Sequence, residues 1–203
     1  MRTSIPATLT LGVLLALSAC VSTRLTEHWK DAAYGAGPLH KVLVVGVQKD
    51  QGRRRIWEDA MATALAQRGL QAEASYQVFP DQAPSPDQLS SIATRDGFDG
   101  VVATHFVSAR QRTYVDPYPG WGCRWRCGWG WGWGPPYGGY VESDYLADYE
   151  TDVFTVDASG GKLIWAGVTR SVDPSSTRAV TDEISKVLVP NLVKDGILIG
   201  KRS

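Results

Sequence analysis

The sequence has no excess of charge of either sign and no long hydrophobic run. Its 21 lysine and arginine residues balance 21 aspartate and glutamate residues. Such a chain produces no field that concentrates phosphate backbones, so nucleic-acid binding is disfavoured. The apolar run over residues 9–17 is too short for the ~20 residues that a membrane span needs, and no later stretch is long enough.

Signatures of catalysis and cofactor binding are also missing. No serine lies in a G-x-S-x-G elbow, and the glycines of residues 46–52 lack the Lys-Ser or Lys-Thr pair of a phosphate-binding loop. Arg53, Arg54 and Arg55 follow that stretch. They favour a solvated basic turn, with an anion such as a lipid headgroup as the alternative. The sequence predicts no enzyme, no metal site and no cofactor.

Few side chains remain as candidates for general acid or base. His105 lies in a predicted strand, where it is expected to be half-exposed or satisfied, and no nucleophile is identified beside it. Asp148, Glu150 and Asp152 alternate along another predicted strand, which is typical of a solvent-facing side. An envelope hydrolase built on His105 is therefore the weakest of the functional hypotheses.

The N-terminus carries the clearest signal. Arg2 and the apolar run form a secretory signal, and its last four residues, Leu17-Ser18-Ala19-Cys20, resemble the bacterial lipobox. That resemblance implies a diacylglyceryl group on the Cys20 sulfur, cleavage before Cys20 and acylation of the new amine. Val21 in place of aspartate implies sorting to the outer membrane. The alternative, a short membrane-spanning anchor, is disfavoured by length.

The expected organisation is a signal peptide over residues 1–19, a lipidated tether over 20–39 and a single α/β domain over 40–200. A Gly/Trp-rich insertion interrupts the domain at 117–143. The membrane, reached through the N-terminal lipid, is the predicted partner, and the protein is expected to face the periplasm.

Hydrophobic patterning predicts the elements of that domain. A continuous β-branched run at residues 42–47 indicates a strand buried on both faces, and later segments alternate as strands or repeat at helical spacing. The order is β-α-β-α-β, then a β-hairpin and a C-terminal helix, giving a mixed five-stranded sheet with helices packed on it. The predicted strands cover residues 42–47, 72–79, 101–115, 145–156 and 163–172, and the helices begin near residues 56, 85 and 175.

The insertion is the richest candidate for binding. Glycine at alternate positions is costly to order, whereas exposed indole rings supply large amphipathic contact area. Three interpretations stay open: a surface for a protein or glycan partner, an anchor in the headgroup zone, or a loop whose rings pack on the sheet. The candidate binding residues are Trp121, Trp125, Trp129, Trp131, Trp133 and Tyr137.

Two cysteines lie in the same insertion. With Cys20 consumed by lipid, Cys123 and Cys127 form an even pair in an oxidising compartment. A disulfide between them is expected, provided that a tight turn brings them together. Redox activity, metal binding and free thiols are the alternatives, and the spacing is not C-x-x-C.

With these residues placed, the chain resembles a family of small Gram-negative envelope lipoproteins that carry a domain of unknown function. Besides the lipobox, the matching segments cover residues 41–47, 54–59, 67–69, 74–77, 97–101 and 161–167. Each is a strand core, turn or helix cap, so the resemblance implies a periplasm-facing α/β domain without established chemistry. The Cys-containing insertion departs from the family pattern. The resulting hypothesis is a non-enzymatic, outer-membrane-anchored interaction or assembly module, and the alternative is a glycan-binding module for peptidoglycan or lipopolysaccharide.

Overall fold

A mixed sheet of six strands organises the molecule. The computed structural model describes residues 23–116, 140–157 and 160–199. The strands stand in the order β1-β6-β5-β4-β2-β3. The pairs β2–β3 and β2–β4 are parallel, and β4–β5, β5–β6 and β1–β6 are antiparallel. The strands are β1 (Thr23–Lys30), β2 (Lys41–Val47), β3 (Gln71–Ala74), β4 (Gly100–Asp116), β5 (Tyr140–Asp157) and β6 (Gly160–Val172), and the helices are α1 (Gln51–Ala66), α2 (Pro86–Asp96) and α3 (Thr177–Lys194).

The predicted α/β class with a mixed sheet is confirmed, and the sheet has one strand more than expected. The sixth strand, β1, comes from the range predicted as a tether. It pairs with β6 from Thr23 opposite Ser171 to Lys30 opposite Trp165. Most of its side chains are exposed, so its sequence has no apolar alternation. Charged residues on such an edge also discourage pairing with further strands.

The two faces of the sheet carry different apolar cores. On one face α1 and α3 cover Val42 and Val44 of β2, and on the other α2 covers Leu43 and Val45. The apolar run at residues 42–47 therefore forms a strand that is covered on both faces, as predicted. Helix α1 packs against β2 at Gly46, where a Cβ would lie 3.4 Å from both the Trp57 and the Glu58 side chains, an ordinary contact distance.

Two element boundaries differ from the sequence prediction. Helix α1 begins at Gln51, because the Asp50 carboxylate accepts a hydrogen bond from the Arg53 amide and caps the helix. Strand β3 ends at Ala74 and continues as a 3-10 helix over Ser75–Gln77, whereas alternation predicts a strand to residue 79. The backbone turns there because the Tyr76 amide donates to the buried Glu58 carboxylate.

Helix α3 runs through its proline. Ser176 caps it by accepting from the Ala179 amide, and the helix continues past Pro190 to Lys194. Pro190 lies inside the helix and does not end it, although a proline there removes one backbone hydrogen bond. Its buried face contains Val180, Ile184, Leu188 and Leu192, which are the residues expected from the periodicity.

One end of the sheet extends as a two-stranded ribbon. Strand β6 stops at Val172, opposite Leu146, while β4 and β5 continue to pair from Gln111 and Tyr145 as far as Asp116 and Tyr140. Thr23 of β1 lies at this same end. We refer to it as the Thr23 end, and to the opposite end, where β4 begins, as the Gly100 end.

Candidate functional site

A cavity of about 530 Å³ lies at the Thr23 end, between the start of α1, the start of α3 and the sheet. This volume falls within the ~300–1,000 Å³ typical of small-molecule sites. Its apolar wall is formed mainly by the sheet and by one side chain from each helix. That wall consists of Val47, Trp57, Phe106, Ala147, Tyr149 and Val180.

An aromatic stack forms the centre of the apolar wall. The rings of Trp57 and Tyr149 are stacked, with centroids 5.3 Å apart and planes at 20°. Phe106 meets Tyr149 edge to face at 5.7 Å. Trp57 is buried and Phe106 is 49% exposed, so the stack runs from the core to the surface. Offset and edge-to-face pairs add to the energy of burial, which makes this wall rigid.

The polar rim of the cavity comes from the β2–α1 connection. Lys49 and Arg53 are exposed and line the cavity, and their side chains form no ion pair with any residue in the described ranges. Asp50 is occupied as the cap of α1. The rim therefore carries two cations against the single carboxylate of Asp50.

Two further donors belong to the cavity wall. Burial raises the pKa of the Tyr149 phenol, the nearby Tyr145 raises it further, and Arg53 opposes the shift. Tyr149 is therefore a neutral O–H donor at physiological pH. The indole N–H of Trp57 is buried and has no hydrogen-bond partner among the residues that the structure describes. The cavity wall thus offers the Tyr149 hydroxyl and the Trp57 indole N–H as donors.

A strained turn holds the start of α3 at the cavity. Asp173 has a φ of 47°, a conformation that is uncommon for residues other than glycine. Two hydrogen bonds compensate: the Asp173 amide donates to the Tyr145 carbonyl at 2.8 Å, and the Tyr145 amide donates to the Asp173 carboxylate at 2.7 Å. Pro174 and Thr177, which follow, complete the lining.

A buried charged cluster lies beneath the rim. Arg54 and Glu58 are 2% and 0% exposed, and the Arg54 Nε donates to Glu58 Oε1 at 2.8 Å. Ser75 donates to the same oxygen at 2.7 Å and accepts from Arg54 Nη2 at 2.8 Å. The Gly46 amide adds a further bond to Glu58. The cluster joins β2, α1 and the end of β3. Arg54 Nη1 has no partner within the described part of the chain.

That cluster corrects the interpretation of the arginine run. Arg53 and Arg55 are exposed, as expected of a solvated turn, but Arg54 is buried and structural. Ser75 is fully buried, so its hydroxyl is inaccessible to a substrate although it contacts a carboxylate. The arrangement fixes the fold and presents no nucleophile.

The acidic residues of β5 are only partly a solvent-facing row. Asp148 is buried and accepts two hydrogen bonds from Arg170, at 2.6 and 3.0 Å. These bonds lower the pKa of Asp148. Asp152 is half-buried, and its burial raises its pKa, with Glu150 adding to the shift. Only Glu150 resembles the expected exposed residue.

His105 is half-exposed, as predicted. It lies 3.3 Å from Glu150 across the β4–β5 pair. Within the described ranges no three His, Cys, Asp or Glu side chains converge as a metal site requires. In the same ranges, no helix combines the length and apolar character needed to cross a membrane.

Most of the site residues predicted from sequence lie outside the described residues. These are the lipidation site Cys20, the pair Cys123 and Cys127, and the aromatic residues Trp121, Trp125, Trp129, Trp131, Trp133 and Tyr137. The described residues do fix where these segments attach. Segment 117–139 leaves from Asp116 and returns at Tyr140 on the ribbon, and β1 begins three residues after Cys20.

Sequence reasoning missed the cavity itself. Its wall combines residues from β2, α1, β4, β5 and α3, and no short motif marks such a set. The sequence offered one signal for it: the basic residues Lys49 and Arg53 follow shortly after the predicted strand at residues 42–47.

No family model matches the chain, and no curated protein matches it. The resemblance to a family of envelope lipoproteins with a domain of unknown function therefore stays a prediction. Among solved structures, the chain is similar to the PelC dodecamer from Paraburkholderia phytofirmans, with 14% identity over 83% of this chain and 96% of that chain and a TM-score of 0.45.

A second similar structure is the lipoprotein GNA1162 from Neisseria meningitidis, with 13% identity over 76% of this chain and 99% of that chain and a TM-score of 0.36. The hypothetical protein CT253 from Chlamydia trachomatis has 14% identity over 68% of this chain and 76% of that chain, with a TM-score of 0.33. These are loose similarities of fold and carry no information about function.

Proposed function

We propose that this chain is a lipid-anchored protein of the Gram-negative cell envelope, whose α/β domain is a non-enzymatic interaction or assembly module at the periplasmic face of the outer membrane. One observation carries the proposal. Strand β1 begins at Thr23, so the predicted lipidation site, Cys20, is three residues from the sheet. The anchor therefore holds the domain itself against the bilayer.

Several contacts fix the position of Thr23. Its backbone pairs with β6, and its hydroxyl lies 2.8 Å from the Ser171 hydroxyl and donates to Glu183 at 2.7 Å. An extended chain spans at most ~3.6 Å per residue. The lipidated sulfur thus stays within roughly 11 Å of the Thr23 backbone, plus the length of its own side chain. If residues 20–39 formed a flexible tether, the domain could lie several times farther from the lipidated sulfur.

Four apolar or aromatic side chains are exposed toward the end of the sheet that this anchor turns to the bilayer. Val47, Phe106, Val107 and Tyr145 are each about half exposed and lie toward the Thr23 end. Exposed apolar groups that cluster in this way mark interaction sites. The β4–β5 ribbon extends farther in the same direction, and the Trp-rich segment is attached to its end. We propose that the segment works at the headgroup zone or on an envelope partner there.

The proposal of a non-enzymatic role is supported by how the described ionisable groups are used. Arg54 with Glu58 and Asp148 with Arg170 form structural ion pairs. His105 contacts Glu150 on the exposed sheet, and Ser75 is buried. The two structural ion pairs and their hydrogen-bond partners join neighbouring elements of the fold, and Ser75 is inaccessible to a substrate.

A lipidation experiment tests the proposed lipid anchor and the proposed outer-membrane location. Cells that express the full chain are grown with an alkyne fatty acid, and the wild type is compared with Cys20→Ser. We expect probe incorporation and an outer-membrane fraction for the wild type, and loss of both for the variant. Cys123→Ser with Cys127→Ser is the matched control and keeps both. An unlabelled wild type, or a Cys20→Ser protein that fractionates normally, contradicts the proposal.

A cross-linking experiment tests whether the domain acts as an interaction module through its Trp-rich segment. A photoreactive amino acid replaces Trp129 or Trp131, with Arg68 at the Gly100 end as the control position. Discrete protein adducts from the Trp positions and none from Arg68 support a protein partner. Adducts to peptidoglycan or lipopolysaccharide instead support the glycan-binding alternative. The absence of any adduct other than phospholipid contradicts both.

A further inference from the structure

We propose that the cavity at the Thr23 end binds an anionic acyl amphiphile, either a free fatty acid or one chain of an acidic phospholipid. The inference extends the proposed function, because it relies on the anchor to bring the cavity to a membrane. It adds a specific ligand site on the domain, separate from the covalent lipid.

The apolar half of the cavity suits an acyl chain. Its wall is built from six apolar or aromatic side chains, with Trp57, Ala147 and Val180 buried and Phe106 half exposed at the opening. Each CH₂ group that is buried against such a wall adds to the stability of the complex.

The polar half of the cavity suits an anion. Lys49 and Arg53 lie on its rim without ion-pair partners in the described part of the chain. The phenol of Tyr149 is also in the lining and forms no hydrogen bond with the described residues. Asp50 is the acidic side chain of the lining, and one of its oxygens caps α1, so Lys49 and Arg53 leave the rim with one net positive charge. One side of the cavity thus offers unpaired hydrogen-bond donors and the other side offers apolar side chains. This combination matches an acyl chain with a carboxylate or phosphate head group.

The register of the sheet places the cavity beside the anchor. Thr23 pairs with Ser171, which pairs with Ala147, and Leu25 pairs with Thr169, which pairs with Tyr149. Two cavity residues are thus level with the first residues of β1 and two strands away, which is roughly 10 Å at ~4.8 Å per strand. Because Cys20 is three residues before Thr23, the opening lies within a short distance of the bilayer surface.

Photo-labelling of the full lipidated protein in nanodiscs of phosphatidylcholine tests this site. Three probes carry the same diazirine-bearing C16 chain: the free acid, phosphatidylglycerol and the neutral fatty alcohol. The peptide that contains Ala147 and Tyr149 is quantified by mass spectrometry. We expect at least one anionic probe to label it about tenfold more than the alcohol, since two exposed ion pairs together supply about that factor.

The two anionic probes distinguish the source of the ligand. Labelling by the acid alone identifies a free fatty acid, and labelling by both identifies the acyl chain of an acidic phospholipid. Equal labelling by the acid, phosphatidylglycerol and the alcohol overturns the proposal, because the rim would then make no contribution.

Matched variants locate the contact. Thr177→Trp fills the cavity from the partly exposed start of α3 and should abolish labelling of this peptide, whereas Arg178→Trp, on the exposed neighbouring position, should leave it unchanged. Lys49→Glu with Arg53→Glu should reduce labelling by the anionic probes about tenfold, and Arg55→Glu should not. Unchanged labelling in Thr177→Trp, or an equal loss in Arg55→Glu, overturns the proposal.

The intact mass of each preparation separates this inference from the proposed function. A lipidated protein whose cavity is not labelled refutes the ligand site alone. A protein without lipid on Cys20 whose cavity is labelled selectively refutes the anchor and leaves the ligand site supported.

Discussion

The parallel and antiparallel halves of the sheet differ in how they are covered. Strand β2 of the parallel half is buried on both faces, between α1 with α3 on one side and α2 on the other, and the Arg54–Glu58–Ser75 cluster is sealed within that half. In the antiparallel half, most of β1 is exposed and the β4–β5 ribbon extends beyond β6. The comparison teaches that helices enclose the parallel half on both faces, whereas the antiparallel half shares one of these cores and also leaves strand surface available for contacts.

The sharpest test of this contrast is the removal of one charge from each half. Glu58→Ala leaves Arg54 buried without its counter-charge, and we expect a loss of about 3–5 kcal/mol in the free energy of unfolding. Glu150→Ala removes the exposed partner of His105 and should cost less than about 1 kcal/mol. Urea unfolding followed by circular dichroism measures both.

Similar losses in the two variants would remove the distinction between the halves. A small loss in Glu58→Ala would further show that the buried cluster contributes little to stability. Glu58→Gln keeps most of the side-chain volume, so it separates the loss of charge from the loss of packing.

A second prediction asks whether the antiparallel half contains any tightly packed position. A Cβ on Gly167 would lie 2.2 Å from the Trp165 ring, whereas one on Gly35 would meet nothing within 4 Å. Gly167→Ala should therefore lower the free energy of unfolding by about 1–3 kcal/mol through overpacking. Gly35→Ala should change it by less than about 0.5 kcal/mol.

Thermal unfolding of both variants checks this prediction. An unchanged midpoint for Gly167→Ala would mean that the buried Trp165 ring moves aside at little cost. In that case the antiparallel half would be loose at its centre as well as at its edge.

The third and smallest effect is dependent on pH. Arg170 lowers the pKa of Asp148 in the folded protein, so the pair contributes stability above the unfolded pKa of about 3.9. This contribution is lost as the pH falls through the lower folded pKa. Asp148→Asn should therefore cost about 1–2 kcal/mol at pH 7, and the difference from the wild type should shrink below about pH 4.

The matched control for this prediction is Asp81→Asn, at an exposed position. It should follow the wild type at every pH. A difference between Asp148→Asn and the wild type that is constant from pH 7 to pH 3 would contradict the assignment of the stability to an ionised Asp148.

The parallel half was predictable because local patterns determine it. The β-branched run of β2 and the one-turn spacing of apolar residues in α1 are visible without tertiary information. The same reasoning placed the apolar face of α3. Where local rules failed, a distant group was responsible: the strand predicted to residue 79 ends early because Glu58 binds the Tyr76 amide.

In the antiparallel half the β5–β6 hairpin was predicted and is confirmed, whereas strand β1 was missed. Strand β1 has few buried side chains, and its hydrogen bonds to β6 define it.

The buried ion pair of the parallel half and the cavity were also not predictable from local patterns. Arg54 and Glu58 lie four residues apart, but this spacing also occurs on exposed helix faces. The cavity draws on five separate elements, so no single segment reveals it.

The account depends on the Thr23 end lying at the membrane. Fluorescence quenching by nitroxide-labelled lipids measures this directly, with a dye on Ser143→Cys of the ribbon or on Arg68→Cys at the Gly100 end. Both positions are exposed, and the full lipidated protein in liposomes carries Cys123→Ser and Cys127→Ser. The account predicts strong quenching at residue 143 and little at residue 68. Equal quenching at the two positions, or stronger quenching at residue 68, would contradict it.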